Sequence, residues 1–114
     1  MGLGERIAAK RQAARRVIEV PEWGEDDTPL QIYVGPLTCA DIDKLQRKHK
    51  DFLQNVTIAA MVDLVIQKAE DKQGEKLFTL EDKPFLMREQ FSIMARVSGE
   101  ILVGVASVEE HEKN

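Results

Sequence analysis

Any chemistry in this sequence would have to come from very few residues: Cys39, the widely separated His49 and His111, and the carboxylate pairs Asp26-Asp27 and Glu109-Glu110. Cys39 falls at the start of a helix, a setting that can activate a thiol, but no Lys or His beside it completes a nucleophile pair. It reads as a small filler. With one cysteine no internal disulfide is possible, and two distant histidines give little material for zinc. Both acid pairs lie in segments that read as solvated, where nothing would raise a carboxyl group into the range for acid or base work. Neither matches the alternating ligands of an EF-hand loop. The sequence has no Gly-rich phosphate cradle, no HExxH and no local Ser, His and Asp signature. The expectation is therefore a non-enzyme, with no catalytic residue, cofactor or metal.

The cations are the other chemically expressive group. Arg6, Lys10, Arg11, Arg15 and Arg16 face a single acid, Glu5, in the first sixteen residues, and Lys44, Arg47, Lys48 and Lys50 flank a later helix. These clusters allow a small regulatory nucleic-acid binder as an alternative reading. Against it, 16 Lys and Arg are outnumbered by 20 Asp and Glu, for a net charge of −4. Generic binding to nucleic acid or an anionic membrane needs a basic surface. Without interleaved aromatics or glycines, a solvated helix flank and a solvated, partly helical arm over 1–16 are the simpler readings. The arm lacks the serines of a transit peptide, no secretory apolar region is present, and no apolar run would cross a bilayer. A cytosolic location is expected.

These residues must be positioned by one domain. At 114 residues and 43% apolar side chains, the chain can bury roughly two-thirds of its unfolded surface. Residues 17–20 and 31–34 read as two strands, the first stopped by Pro21, joined by a wide acidic loop over 22–29. Trp23 reads as a plug folded back onto the domain. Thr38 and Asp41 form a capping pair, so a helix starts near Cys39, with Ile42, Leu45, Phe52, Leu53 and Val56 at helical spacing and His49 packed among them. From Phe52 to Ala69 the apolar residues cover two sides of a helical wheel. Ile58, Met61, Val62, Val65, Ile66 and Ala69 form one arc; Leu53, Ala60 and Leu64 form the other, leaving Asp63, Gln67 and Glu70 on a polar strip. Such a helix is either central to the domain or shared between subunits. Asp71 to Glu75 reads as a turn and 76–78 as a brief extended piece. Thr79 and Asp82 repeat the capping pattern, with a short turn at 80–83 and a fresh helix start at Pro84. A last helix is expected from Phe85 or Gln90 to Ala106, with Phe91, Ile93, Met94, Val97, Ile101, Leu102 and Val105 over half its wheel. Residues 107–114 form an acidic tail expected to fray. The fold class is α+β, mainly α: an N-terminal β-hairpin followed by a small bundle of three to four helices.

The order of these features carries a resemblance. Its residues are Gly4-Glu5-Arg6-Ile7-Ala8-Ala9, then Val17-Ile18-Glu19-Val20-Pro21-Glu22-Trp23-Gly24, the second strand into Leu37-Thr38, and Gly74-Glu75-Lys76-Leu77-Phe78-Thr79-Leu80-Glu81-Asp82 before the last helix. Over nearly its whole length the chain resembles the tail assembly chaperones of long-tailed phages and prophages. The acidic stretch 25–29 departs from the tighter hairpin expected of that family. The resemblance implies a single non-enzymatic chaperone domain over 1–114 that coats the tape measure protein, keeps it soluble and helps recruit tail tube subunits. It also implies two forms, the longer made by ribosomal frameshifting and contacting the tube protein; Lys113-Asn114 can be encoded by an A-rich slippery heptamer. The protein would act in the cytoplasm of an infected or lysogenic host and be absent from the mature virion.

A holdase for a long amphipathic client needs apolar surface that its own kind or the client can cover. The candidate partner-binding residues are Trp23, Ile58, Met61, Val62, Val65, Phe91, Met94, Ile101 and Val105, and reversible self-association is expected.

Overall fold

Ile18, Val20, Ile32 and Val34 are buried while Val17, Glu19 and Gln31 are exposed. This period of two turns one face of a hairpin toward the helices. In the computed structural model, which describes the backbone of residues 2–113 and the side chains of 2–103, the hairpin is β1 (Arg16–Glu25) and β2 (Thr28–Val34). The strands are antiparallel, with Ile18 opposite Ile32 and Val20 opposite Leu30. The expected wide loop over 22–29 is replaced by a two-residue turn. Asp26 and Asp27 have φ of 48° and 64°, the mirror-image turn geometry that matches the twist of a hairpin. Aspartate tolerates that left-handed region because its short side chain bonds locally. Nor does Pro21 end the strand: it sits inside β1 where the register slips between Val20 and Glu25, a place where a missing N–H breaks no ladder bond.

Helix α1 (Leu3–Ala13) precedes the hairpin and has no buried residue. Its Ala, Arg, Lys and Gln content favours helix locally, and Glu5 in the first turn with Lys10 and Arg11 in the last complements its dipole. The basic arm is shorter than expected. Arg15 donates through Nη2 to the Asp71 carbonyl at 2.6 Å and lies 5.1 Å from the centre of the Tyr33 ring. Arg16 donates to the Ile101 carbonyl at 3.2 Å. Both arginines belong to the domain.

Helix α2 (Cys39–Lys48) starts where expected. The Thr38 hydroxyl accepts from the Asp41 amide at 3.1 Å and the Thr38 amide donates back to the Asp41 carboxylate at 2.9 Å. The helix does not continue through Phe52 and Val56, because the chain turns at His49 and Asp51 takes φ 60°. Phe52 is fully buried from this turn, whereas Leu53 is exposed. Helix α3 (Ile58–Lys68) then starts at Thr57, whose hydroxyl accepts from the Ala60 amide at 3.1 Å.

Of the two alternatives for an all-round apolar helix, α3 takes the central one. Ala60, Val62, Leu64, Val65 and Ile66 are buried on both arcs. Asp63, expected on a polar strip, is buried with them at 6% exposure. After α3 the chain pairs with β2: the Tyr33 amide donates to the Glu70 carbonyl at 2.8 Å and the Glu70 amide returns to Tyr33 at 3.1 Å. The turn at Asp71 closes as expected, its carboxylate accepting from the amides of Gln73 and Glu75 at 2.8 and 3.0 Å, with Gly74 at φ 86°.

A single 3-10 turn (Leu80–Asp82), capped reciprocally by Thr79 and Asp82, leads into α4 (Lys83–Met87) with Pro84 in its first turn. Helix α5 (Phe91–Lys113) starts near the later of its two expected positions and runs past the expected stop at Ala106. Helix α3 packs against α5, α4 and α2, and α5 also meets β1. The class is α+β. Val105 and the tail over 107–114 lie outside the residues whose side chains are described.

Candidate functional site

Trp23 is held where the bulged part of β1 meets α4. Its Nε1 donates to a Glu89 carboxylate oxygen at 2.7 Å, and its ring meets Phe78 edge-on at 5.8 Å between centroids. The plug expected from the sequence is present, but it does not fill its surroundings. Trp23, Leu30, Phe78, Phe85, Leu86 and Glu89 line an open pocket of about 290 Å³. Helix α4 shapes it in one turn: Leu86 points into the core, while Phe85 is 75% exposed and Met87 is exposed as well. The same stretch of chain exposes Leu80 at 64% and Phe91 at 59%. A sequence segment of twelve residues, 80–91, thus presents four large apolar side chains to solvent, Leu80, Phe85, Met87 and Phe91.

The hairpin is fixed against α5 beside this pocket. Arg96 donates to both carboxylate oxygens of Glu22, at 2.8 and 2.6 Å. The Arg96 hydrogen bond leads the causes that bring the Glu22 carboxyl down to about 2.

A second constellation, which the sequence did not reveal, borders another cavity through Asp63. His49 Nε2 and Asp63 Oδ2 are 2.6 Å apart, and Lys83 Nζ lies 3.0 Å from Asp63 Oδ1. The cluster joins the end of α2, the middle of α3 and the first residue of α4. Burial pushes the Asp63 carboxyl up, but hydrogen bonds from His49 and Lys83 and the Lys83 charge outweigh it, so it sits below the ordinary aspartate value of 3.8. His49 is packed, as expected. It has no nucleophile to serve in Cys39, which is exposed at the other end of α2, about 15 Å away at 1.5 Å rise per residue. The signal was available in principle, because a carboxylate in the middle of an all-round apolar helix must find a buried partner.

The candidate residues separate into three groups. Val62 and Val65 on α3, with Met94 and Ile101 on α5, belong to the hydrophobic core. There the wide apolar faces of α3 and α5 cover one another. Ile58 and Phe91 are exposed, at the first residues of their helices, and Met61 and Trp23 are half-buried. Val105 lies outside the described side chains. Leu80, Phe85 and Met87, which sequence periodicity did not single out, join Phe91 on the exposed surface.

Comparison with family models, with curated proteins and with solved structures finds no match to this chain. Among the described residues, no helix is long and apolar enough to cross a membrane, and no cluster of three or more His, Cys, Asp or Glu is placed to hold a metal ion.

Proposed function

We propose that this chain is a tail assembly chaperone of a long-tailed phage or prophage. In this reading it is a non-enzymatic protein that binds the tape measure protein, keeps it soluble and helps recruit tail tube subunits in the host cytoplasm. Helices α2 to α5 form the small bundle that follows the hairpin, self-association covers free apolar surface, and a longer frameshifted form makes the tube contact.

Two lines support it. One is the ordered resemblance running from the Val17 to Gly24 strand to the Gly74 to Asp82 turn. The other, which carries the reading physically, is Phe85 standing 75% exposed over the Trp23 and Phe78 pocket. A long amphipathic helix lays apolar side chains at i, i+3, i+4 and i+7 into such a groove. The need is physical: a long helical chain made before its tube exists has no other cover for its apolar stripe.

Co-expression tests this. The tape measure protein encoded with this chain is expected in the soluble fraction and in complex when the wild-type chain is present. With Phe85→Asp and Phe91→Asp together it is expected in the pellet, while the variant itself stays folded because both side chains are exposed. A tape measure protein that is equally soluble without this chain, or that never associates with it, overturns the reading.

A further inference from the structure

We infer that the client segment taken by this chain is acidic as well as apolar, and that it is recognised by a lysine-rimmed pocket on the far side of Phe78. The inference rests on the reading above and names the client's chemistry. Phe78 lines two cavities. One is the apolar pocket beneath Phe85; the other, of about 300 Å³, has Leu45, Ile66, Phe78 and Leu80 among its walls and Lys44, Lys48 and Lys76 around it. Phe78, shared by both linings, makes the two pockets neighbours, so one client helix can reach both.

The charge around the second pocket is unbalanced. Lys44 and Lys48 stand four residues apart on α2 and therefore on one side of it. Like charges at that spacing disfavour a helix. Other cations nearby are matched: Arg47 with Asp43 at 2.9 Å, Lys68 with Asp41 at 2.7 Å and Lys83 with Asp63 at 3.0 Å. Among the described residues neither Lys44 nor Lys48 has a carboxylate within ion-pair distance. Lys76 donates to the Gln67 carbonyl, which leaves its charge uncompensated. The one carboxylate in the lining, Asp63, is engaged by His49 and Lys83. Three ammonium groups over an apolar floor fit a Leu, Ile or Met side chain flanked by Asp or Glu on the same helical face.

The net charge makes the test discriminating. A chain carrying −4 would prefer a basic peptide if only overall charge acted. Two labelled peptides of about 18 residues, five helical turns, serve as probes. Both carry Leu at i, i+3, i+4 and i+7, one with Glu and the other with Lys at the flanking positions. By fluorescence anisotropy at low salt the Leu/Glu peptide is expected to bind at least about tenfold tighter, and the advantage should shrink as salt rises to about 0.5 M. Lys44→Glu combined with Lys76→Glu should abolish or reverse the preference. Lys44→Glu places a carboxylate four residues ahead of Lys48, the order that favours a helix. Because Lys76→Glu removes the bond to the Gln67 carbonyl, urea unfolding of the variant is measured alongside to show that it remains folded.

The inference is overturned by equal or tighter binding of the Leu/Lys peptide, by an acidic preference that survives in the variant, or by binding of neither peptide. The co-expression experiment decides the underlying reading separately. A client held in solution without an acidic preference removes the inference alone.

Discussion

Replacing Asp63 by alanine is expected to lower folding stability by about 3 kcal/mol, the loss typical when one partner of a buried charge cluster is removed. The side chain is 6% exposed and holds groups from two other helices, His49 on one oxygen and Lys83 on the other. Without the carboxylate, Lys83 loses its only described counter-charge at the edge of the core, and His49 loses a 2.6 Å hydrogen bond. Urea unfolding should show a lower midpoint with an unchanged slope. Adding Lys83→Met to Asp63→Ala should recover part of the loss, since the stranded charge is then gone.

The sign of the pH dependence follows from the direction of the shift. The Asp63 carboxyl is lower in the folded chain than its ordinary 3.8, so its stabilisation is complete above that value. It is lost as pH falls through the folded-state value. The Asp63→Ala variant should therefore show a shallower loss of stability in acid than the wild type. A cost below about 1 kcal/mol, the scale of an exposed ion pair, would show that the cluster does not tie the three helices together.

Gly24→Ala is the second large effect, expected at about 2–3 kcal/mol from overpacking. A Cβ at Gly24 would lie 1.9 Å from the Thr28 carbonyl oxygen and 2.8 Å from the Pro29 Cα. Both are backbone atoms of the opposing strand, so no side-chain rotation relieves the clash and the hairpin tip must open. Trp23 is the adjacent residue and the chain's single tryptophan, which makes its fluorescence a direct report on whether the plug leaves Phe78 and Glu89. Gly99, where an added Cβ meets nothing within 4 Å, is the contrast: Gly99→Ala should not destabilise. A Gly24→Ala variant as stable as the wild type, with unchanged Trp23 emission, would mean the close approach is not maintained in solution.

Local signals were legible and long-range ones were not. Each capping pair, Thr38 with Asp41 and Thr79 with Asp82, acts over three residues, and both form as reciprocal hydrogen bonds. Pro84 marks the start of α4 for the same reason. The tight Asp26-Asp27 turn was hidden because two aspartates resemble a solvated loop in composition, whereas their left-handed conformation is imposed by the strands they join. The break at His49 was hidden because Phe52 and Val56 continue the helical spacing. In the fold Phe52 reaches the core from a turn, an outcome that tertiary burial decides over local periodicity.

The site divides the same way. Trp23 was legible as an aromatic beside a turn that needed cover. The helical period identified the apolar faces of α3 and α5 but could not say that each hides the other, which moves Val62, Val65, Met94 and Ile101 into the core. Four of the exposed large apolar residues fall in the short segment 80–91, where α4 has one inward residue, Leu86, between outward Phe85 and Met87. A helix of five residues is too short for periodicity to show its exposed side. The contacts of Arg15 and Arg16, to carbonyls 56 and 85 residues away, have no sequence signal at all.

In the proposed function a helical client lies on the exposed apolar side chains of 80–91 and the adjoining pocket of Trp23, Phe78 and Phe85. Hydrogen exchange of this chain, free and in complex with the tape measure protein, reads that surface directly. Slowed exchange is expected across 80–91 and at the Trp23 segment of β1, with the exposed helix α1 unchanged. A stable complex whose protection lies on α1 and leaves 80–91 exchanging as in the free chain would contradict it.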